Sequence, residues 1–87
     1  MLTMEKKVKK HKEGSIKDVI LKRWKRVSMK NPLYRESFLF GCQSVKYHAI
    51  STYLRRMQEM HDDDEIRYNT YKEDATLKVG QIRKIEP

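Results

Sequence analysis

The chain has 87 residues and one cysteine, so it builds one small domain with no internal disulfide. Charged side chains make up 37% of it, mean hydropathy is −0.90 and net charge is +8, which predicts a thin core and an anionic partner. No apolar run is long enough to span a membrane and no apolar segment follows the N-terminal charges as in a secretory signal, so a cytoplasmic protein is expected.

The charge is uneven. Residues 1–60 carry 15 Lys/Arg against 5 Asp/Glu, and residues 61–87 carry 5 against 7. Within residues 1–14 stand Lys6, Lys7, Lys9, Lys10 and Lys12, with Val8 as the one apolar interruption. Like charges at this density resist compaction, so residues 1–14 are read as a flexible basic arm and 15–87 as the domain.

Ser15-Ile16-Lys17-Asp18 resembles a capping box and predicts a helix from Ser15. Ile16, Val19, Ile20, Trp24 and Val27 mark its inward face, while Lys17, Lys22, Arg23, Lys25 and Arg26 face mostly outward. Asn31-Pro32 disfavours continuation, so a stop is expected at 28–30. A second, short helix is predicted with Asn31 as N-cap, Pro32 in its first position and Gly41 as a left-handed C-cap. The continuous Phe38-Leu39-Phe40 cluster also suits a buried strand.

The third helix is predicted over 44–60, with Ser44 as N-cap. Ala49/Ile50, Tyr53/Leu54, Met57 and Met60 recur at steps of three and four and share one face. Lys46, Tyr47, His48, Ser51, Thr52, Arg55 and Arg56 fall opposite, and none of them is acidic. A helix with an apolar back and a basic, hydroxyl-bearing front suits a DNA major groove. Asp62-Asp63-Asp64 sits badly at the negative end of a helix and should terminate it. Beyond it, Ile66, Tyr68 and Thr70 alternate with polar positions, as do Leu77 and Val79, which predicts two strands joined by 72–75. Gly80 falls in the three-residue step from Val79 to Ile82 and suggests a bulge.

Three helices followed by a hairpin, with the run Ala49-Ile50-Ser51-Thr52-Tyr53-Leu54-Arg55-Arg56-Met57 and the strand start Ile66-Arg67-Tyr68, resemble a winged helix-turn-helix domain over Ser15 to Ile85. Two places differ from the family pattern. Gly41-Cys42-Gln43-Ser44 precedes Ile50 by nine residues where the family's turn stands about six before, so either the turn is longer or the helix starts earlier. Asp62-Asp63-Asp64-Glu65 also stands where a glycine-containing turn is usual.

The resemblance implies an α+β, mainly α, three-helix fold with a C-terminal two-stranded wing, and a third helix that enters the major groove. Carried onto this chain, the base-reading candidates are Lys46, Tyr47, His48, Ser51, Thr52 and Arg55. Ser44 and Arg56, with the arm residues Lys6, Lys7, Lys9 and Lys10, are the phosphate candidates. The wing tip Lys72-Glu73-Asp74-Ala75 holds two acids and one base, so little phosphate contact is expected from it.

The leading expectation is a small sequence-specific double-stranded DNA-binding protein, a transcriptional regulator that works by binding alone. Size and the basic arm would suit a viral, plasmid or prokaryotic source. A homodimer could use Val8, Tyr34, Ile82 or Ile85. The alternative is a winged-helix protein-interaction module or small viral inhibitor docking on a protein partner, which the Asp62–Glu65 patch favours. RNA binding through Tyr47, Tyr53, Tyr68 and Tyr71 ranks third.

No enzyme, cofactor or metal is expected. His11, His48, His61 and Cys42 lack metal-ligand spacing, and the acidic run lacks the alternating ligands and central glycine of a calcium loop. Cys42 reads as a small packing residue. Three glycines offer no phosphate cradle.

Overall fold

Ser15 opens the first helix as its sequence predicts. Its Oγ accepts from the Asp18 amide at 3.2 Å, and Asp18 reaches back to accept from the Gly14 amide at 2.9 Å. In this computed structural model, which describes residues 11–85, the elements run α1 (Ile16–Trp24), β1 (Leu33–Tyr34), α2 (Arg35–Val45), α3 (Ile50–Asp62), β2 (Tyr68–Thr70) and β3 (Gln81–Lys84).

α1 stops at Trp24, short of the expected 28–30. Lys84, arriving from β3, donates to the Trp24 and Val27 carbonyls at 2.9 and 3.3 Å and so replaces the amides of a further turn.

The second expected helix begins later than its sequence suggests. Leu33 and Tyr34 form an edge strand, with Leu33 opposite Ile82 and Tyr34 opposite Gln81. This cross-strand pairing outweighs the good N-terminal signal of Asn31-Pro32, so Tyr34 takes the N-cap place, without a side-chain cap. α2 also runs straight through Gly41, which is helical and not a left-handed C-cap. What Gly41 provides is clearance, because a Cβ there would lie 2.2 Å from Nη2 of Arg23. Phe38, Leu39 and Cys42 turn inward while Phe40 is 54% exposed, a helical division rather than a strand's.

α3 begins at Ile50 instead of Ser44. The eight residues between Gly41 and Ile50 are taken up by the rest of α2 and a turn at 46–49. Tyr53 holds that turn by donating its hydroxyl to the Lys46 carbonyl at 2.5 Å, and Gln43 donates to the His48 carbonyl at 2.7 Å. Ser44 bonds back to the Gly41 carbonyl at 2.7 Å and so belongs to the last turn of α2.

α3 continues to Asp62. Asp64 then adopts a left-handed φ of 61°, the conformation a glycine usually supplies, and the Glu65 amide closes on the Met60 carbonyl at 2.9 Å. The acidic run therefore does terminate the helix.

The core joins all three helices to the sheet. Ile20, Leu39, Cys42, Tyr53, Met57 and Met60 are fully buried, while Ile50 and Leu54 pack at its edge. Trp24 is the anchor, edge-on to Phe38 at 5.5 Å and to Tyr68 at 5.7 Å between ring centroids.

The sheet has three antiparallel strands in the order β1-β3-β2, not the two expected. Its last strand is Gln81–Lys84 rather than 76–79. Leu77 dips into the core, but Val79 is 75% exposed. Gly80, at φ 90°, ends the loop before β3 and does not bulge a strand. The product is a small α+β domain, mainly helical. Among the described residues no helix is long and apolar enough to cross a membrane.

Candidate nucleic-acid interface

The amphipathic period of α3 sends Tyr53, Met57 and Met60 inward and leaves Ser51, Arg55 and Gln58 exposed, with Thr52 half-buried beside them. The turn ahead of α3 adds Tyr47, 81% exposed, and His48, half-buried with its ring 6.4 Å from that of Tyr53. The first half of α3 and its leading turn thus gather Tyr47, His48, Ser51, Thr52 and Arg55. This surface has hydroxyls, an imidazole and a guanidinium and no carboxylate. Among the described residues Arg55 has no acidic partner, so its fork of donors is free for two parallel hydrogen bonds.

The other candidates stand differently. Lys46 is the C-cap residue of α2, off α3, and its Nζ donates to the Gly14 carbonyl. Arg56 is half-buried and donates to both oxygens of Glu59 at 3.0 and 3.2 Å. Glu59 also takes Lys17 at 3.1 Å, and these cations, Lys17 first, hold its carboxyl below the usual range. Ser44 lies on α2, its hydroxyl spent on the Gly41 carbonyl. Lys6, Lys7, Lys9 and Lys10 lie outside the described residues. Residues 11–14 are tied to the domain, with the His11 ring against Glu65 and the Ser15 amide on the Lys12 carbonyl at 3.0 Å.

The far end of α3 has the opposite sign. Gln58 donates to Asp62 at 3.0 Å, and Asp63 and Asp64 follow, both exposed. The helix therefore presents a neutral-to-basic first half and an acidic end, and only the first half suits a polyanion.

The loop at 71–80 carries two acids, Glu73 and Asp74, and two lysines, Lys72 and Lys78. Glu73 accepts from the Thr70 amide at 2.7 Å and hydroxyl at 2.8 Å. Asp74 accepts from the Thr76 hydroxyl and amide with one oxygen and from Arg83 with the other, at 3.1 Å. Those hydrogen bonds hold both carboxyls below their ordinary values. Both acids are thus used to fold the loop, while Lys72 and Lys78 are exposed without an acidic partner among the described residues.

Sequence reasoning passed over Gln58 and Lys78, and it named Lys72 only as the single base of 72–75. Gln58 was accessible from its period, seven after Ser51 and three after Arg55. No sequence signal marked the hydrogen bonds that engage Glu73 and Asp74 within the loop.

Cys42 is buried, and burial pushes its thiol up to about 11, so it stays a thiol at neutral pH. Among the described residues no three His, Cys, Asp or Glu side chains gather as a metal-holding group. Compared with known proteins, the chain matches no protein-family model, no curated protein and no solved structure.

Proposed function

We propose that this chain is a winged helix-turn-helix protein that binds double-stranded DNA sequence-specifically and regulates transcription by binding alone, within the cytoplasm. The observation that carries the reading is the carboxylate-free face formed by Tyr47, Ser51, Thr52 and Arg55 at the start of α3. That face is held outward by the burial of Tyr53, Met57 and Met60 behind it. A strand between α1 and α2, its pairing with the last strand, and a long β2–β3 loop support the winged-helix reading. α3, at 13 residues, is about 20 Å long at 1.5 Å per residue, enough to lie along a major groove about 12 Å wide.

In this arrangement Arg55 reads a base, with guanine favoured through O6 and N7, and Ser51 and Thr52 contact neighbouring edges. Tyr47 and His48 sit where the helix enters the groove. Lys72 and Lys78 reach phosphates from the wing, and Lys6, Lys7, Lys9 and Lys10 add to them from the arm. Arg56 and Lys46, already bonded within the domain, position α3 more than they contact DNA.

The direct test is Arg55→Ala on a duplex selected by the wild-type protein. Loss of about 1–3 kcal/mol of affinity, with preference relaxed at one base pair, supports the reading. Unchanged affinity and unchanged preference oppose it.

A protein-docking role is the second reading, and one observation favours it. Tyr34, Phe40 and Val79, all exposed, line one groove of about 360 Å³ with Arg35, Glu36 and Ser37. Of the residues considered for a homodimer, Tyr34 is available on that patch, Ile82 is buried in the core and cannot contribute, and Val8 lies outside the described residues.

A further inference from the structure

We propose that the groove between α1 and α2, built around Arg23 and Arg26, is a docking site for an acidic peptide segment of a protein partner that carries apolar side chains among its carboxylates. The groove has a volume of about 320 Å³ and is lined by Arg23, Arg26, Val27, Leu33, Ser37 and Phe38. Its floor is apolar, from Phe38, Val27 and Leu33, and its rim is cationic, with the Ser37 hydroxyl on the α2 side.

Arg23 is the preorganised part. Its guanidinium carbon stands 5.7 Å from the centre of the Phe38 ring, and its tip presses on Gly41 so closely that no Cβ would fit there. Its Nε is buried with no acceptor among the described residues. A half-exposed guanidinium held against a ring and a glycine can donate to a carboxylate with little further ordering. Neither Arg23, Lys25 nor Arg26 forms an ion pair among the described residues, whereas neighbouring Lys22 is engaged by Asp18 at 3.2 Å.

The occupant follows from charge and position together. The groove residues belong to α1, the segment after it, β1 and α2, and none of them belongs to α3. A duplex lying on α3 leaves it open. A phosphate backbone would bring no apolar group to the Phe38–Val27–Leu33 floor. A peptide can place a carboxylate on Arg23 and an apolar side chain beside it. The inference does not depend on α3 reading DNA.

The test is an amide-resolved NMR titration of the full chain at physiological ionic strength. The probe is a short synthetic peptide of alternating Glu and Leu, and the control is the same peptide with every Leu replaced by Ser. The proposal expects shifts centred on Arg23, Arg26, Val27, Ser37 and Phe38, and binding of the Ser control weaker by about tenfold or more. Gly41→Ala, which displaces the Arg23 tip without removing its charge, and Arg26→Gln should each weaken the Leu peptide by about fivefold or more. Should Gly41→Ala lose its dispersed spectrum, Arg26→Gln decides alone, because Arg26 is exposed.

Equal affinity for the two peptides, shifts spread over all the basic surface or centred on α3, or full affinity in Arg26→Gln would each overturn the proposal. A parallel titration with duplex DNA keeps the two readings separate. Peptide binding without duplex binding removes the DNA reading and leaves the groove, and the reverse removes the groove alone.

Discussion

Replacing Tyr53 by Phe removes one oxygen from the point where the fold fixes its candidate reading head. Tyr53 is 0% exposed, and its hydroxyl donates to the Lys46 carbonyl at 2.5 Å, with the Cys42 carbonyl at 3.3 Å. Burial pushes the phenol above its ordinary pKa, so it remains a neutral donor through the working pH range. The Cys42 carbonyl keeps a second donor, the Lys46 amide at 3.0 Å, but the Lys46 carbonyl loses the phenol that holds it. A lost hydrogen bond with an acceptor left short inside the protein costs about 1–2 kcal/mol. The ring is retained, so no apolar packing is lost. For a domain of this size that corresponds to a fall in Tm of roughly 5–15 °C. Thermal melts and urea titrations of the two proteins measure it directly. The same bond sets the turn that carries Tyr47 and His48, so backbone amides at 46–49 should exchange faster in the variant. A Tm within about 2 °C of wild type, with unchanged exchange at 46–49, would refute the role given to this hydroxyl.

Three further outcomes are expected. Cys42 should resist iodoacetamide in the native protein at pH 8 and react once urea exposes it, since burial both blocks access and raises the thiol to about 11; mass spectrometry reads the difference. Asp18, Glu59 and Asp74 have carboxyls held below their ordinary values of 3.8, 4.5 and 3.8 by their hydrogen-bond and cationic partners. Their stabilisation is therefore present above those values and is lost as pH falls through the lower folded ones, so urea midpoints should drop below about pH 4 and drop less in Asp18→Asn. Asp64→Gly should raise stability by about 0.5–1 kcal/mol, because it relieves a left-handed φ and removes a carboxylate from the negative end of α3; an unchanged or lower urea midpoint would count against that account.

The parts of the fold legible in the sequence are those set by local chemistry. Ser15 capping and the inward steps Val19, Ile20, Trp24 and Tyr53, Met57, Met60 depend on helical period alone, and all of these residues are buried or capping as read. The parts missed depend on distant partners. Leu33 and Tyr34 follow a good helix start, and only Ile82 and Gln81, some fifty residues on, make them a strand. Ser44 has the chemistry of an N-cap, yet a serine in the last turn of a helix can equally bond backwards, and the choice was made by Tyr53 gripping Lys46.

The candidate site divides in the same way. Ser51 and Arg55 were legible from their period. That Arg56 and Lys46 would be engaged inside the domain, and that Glu73 and Asp74 would hydrogen-bond within the 71–80 loop, depends on contacts the linear pattern does not carry.

The central claim is that the start of α3 reads a DNA sequence. One round of selection from a random duplex pool, followed by fluorescence-anisotropy titration of the enriched and the starting duplexes at two salt concentrations, tests it most directly. The account predicts an enriched motif that keeps a tighter affinity than the pool at the higher salt, with both affinities falling because counterion release is less favourable there. Binding that enriches nothing and disappears as salt rises would mean that the +8 charge attracts any polyanion, and would contradict it.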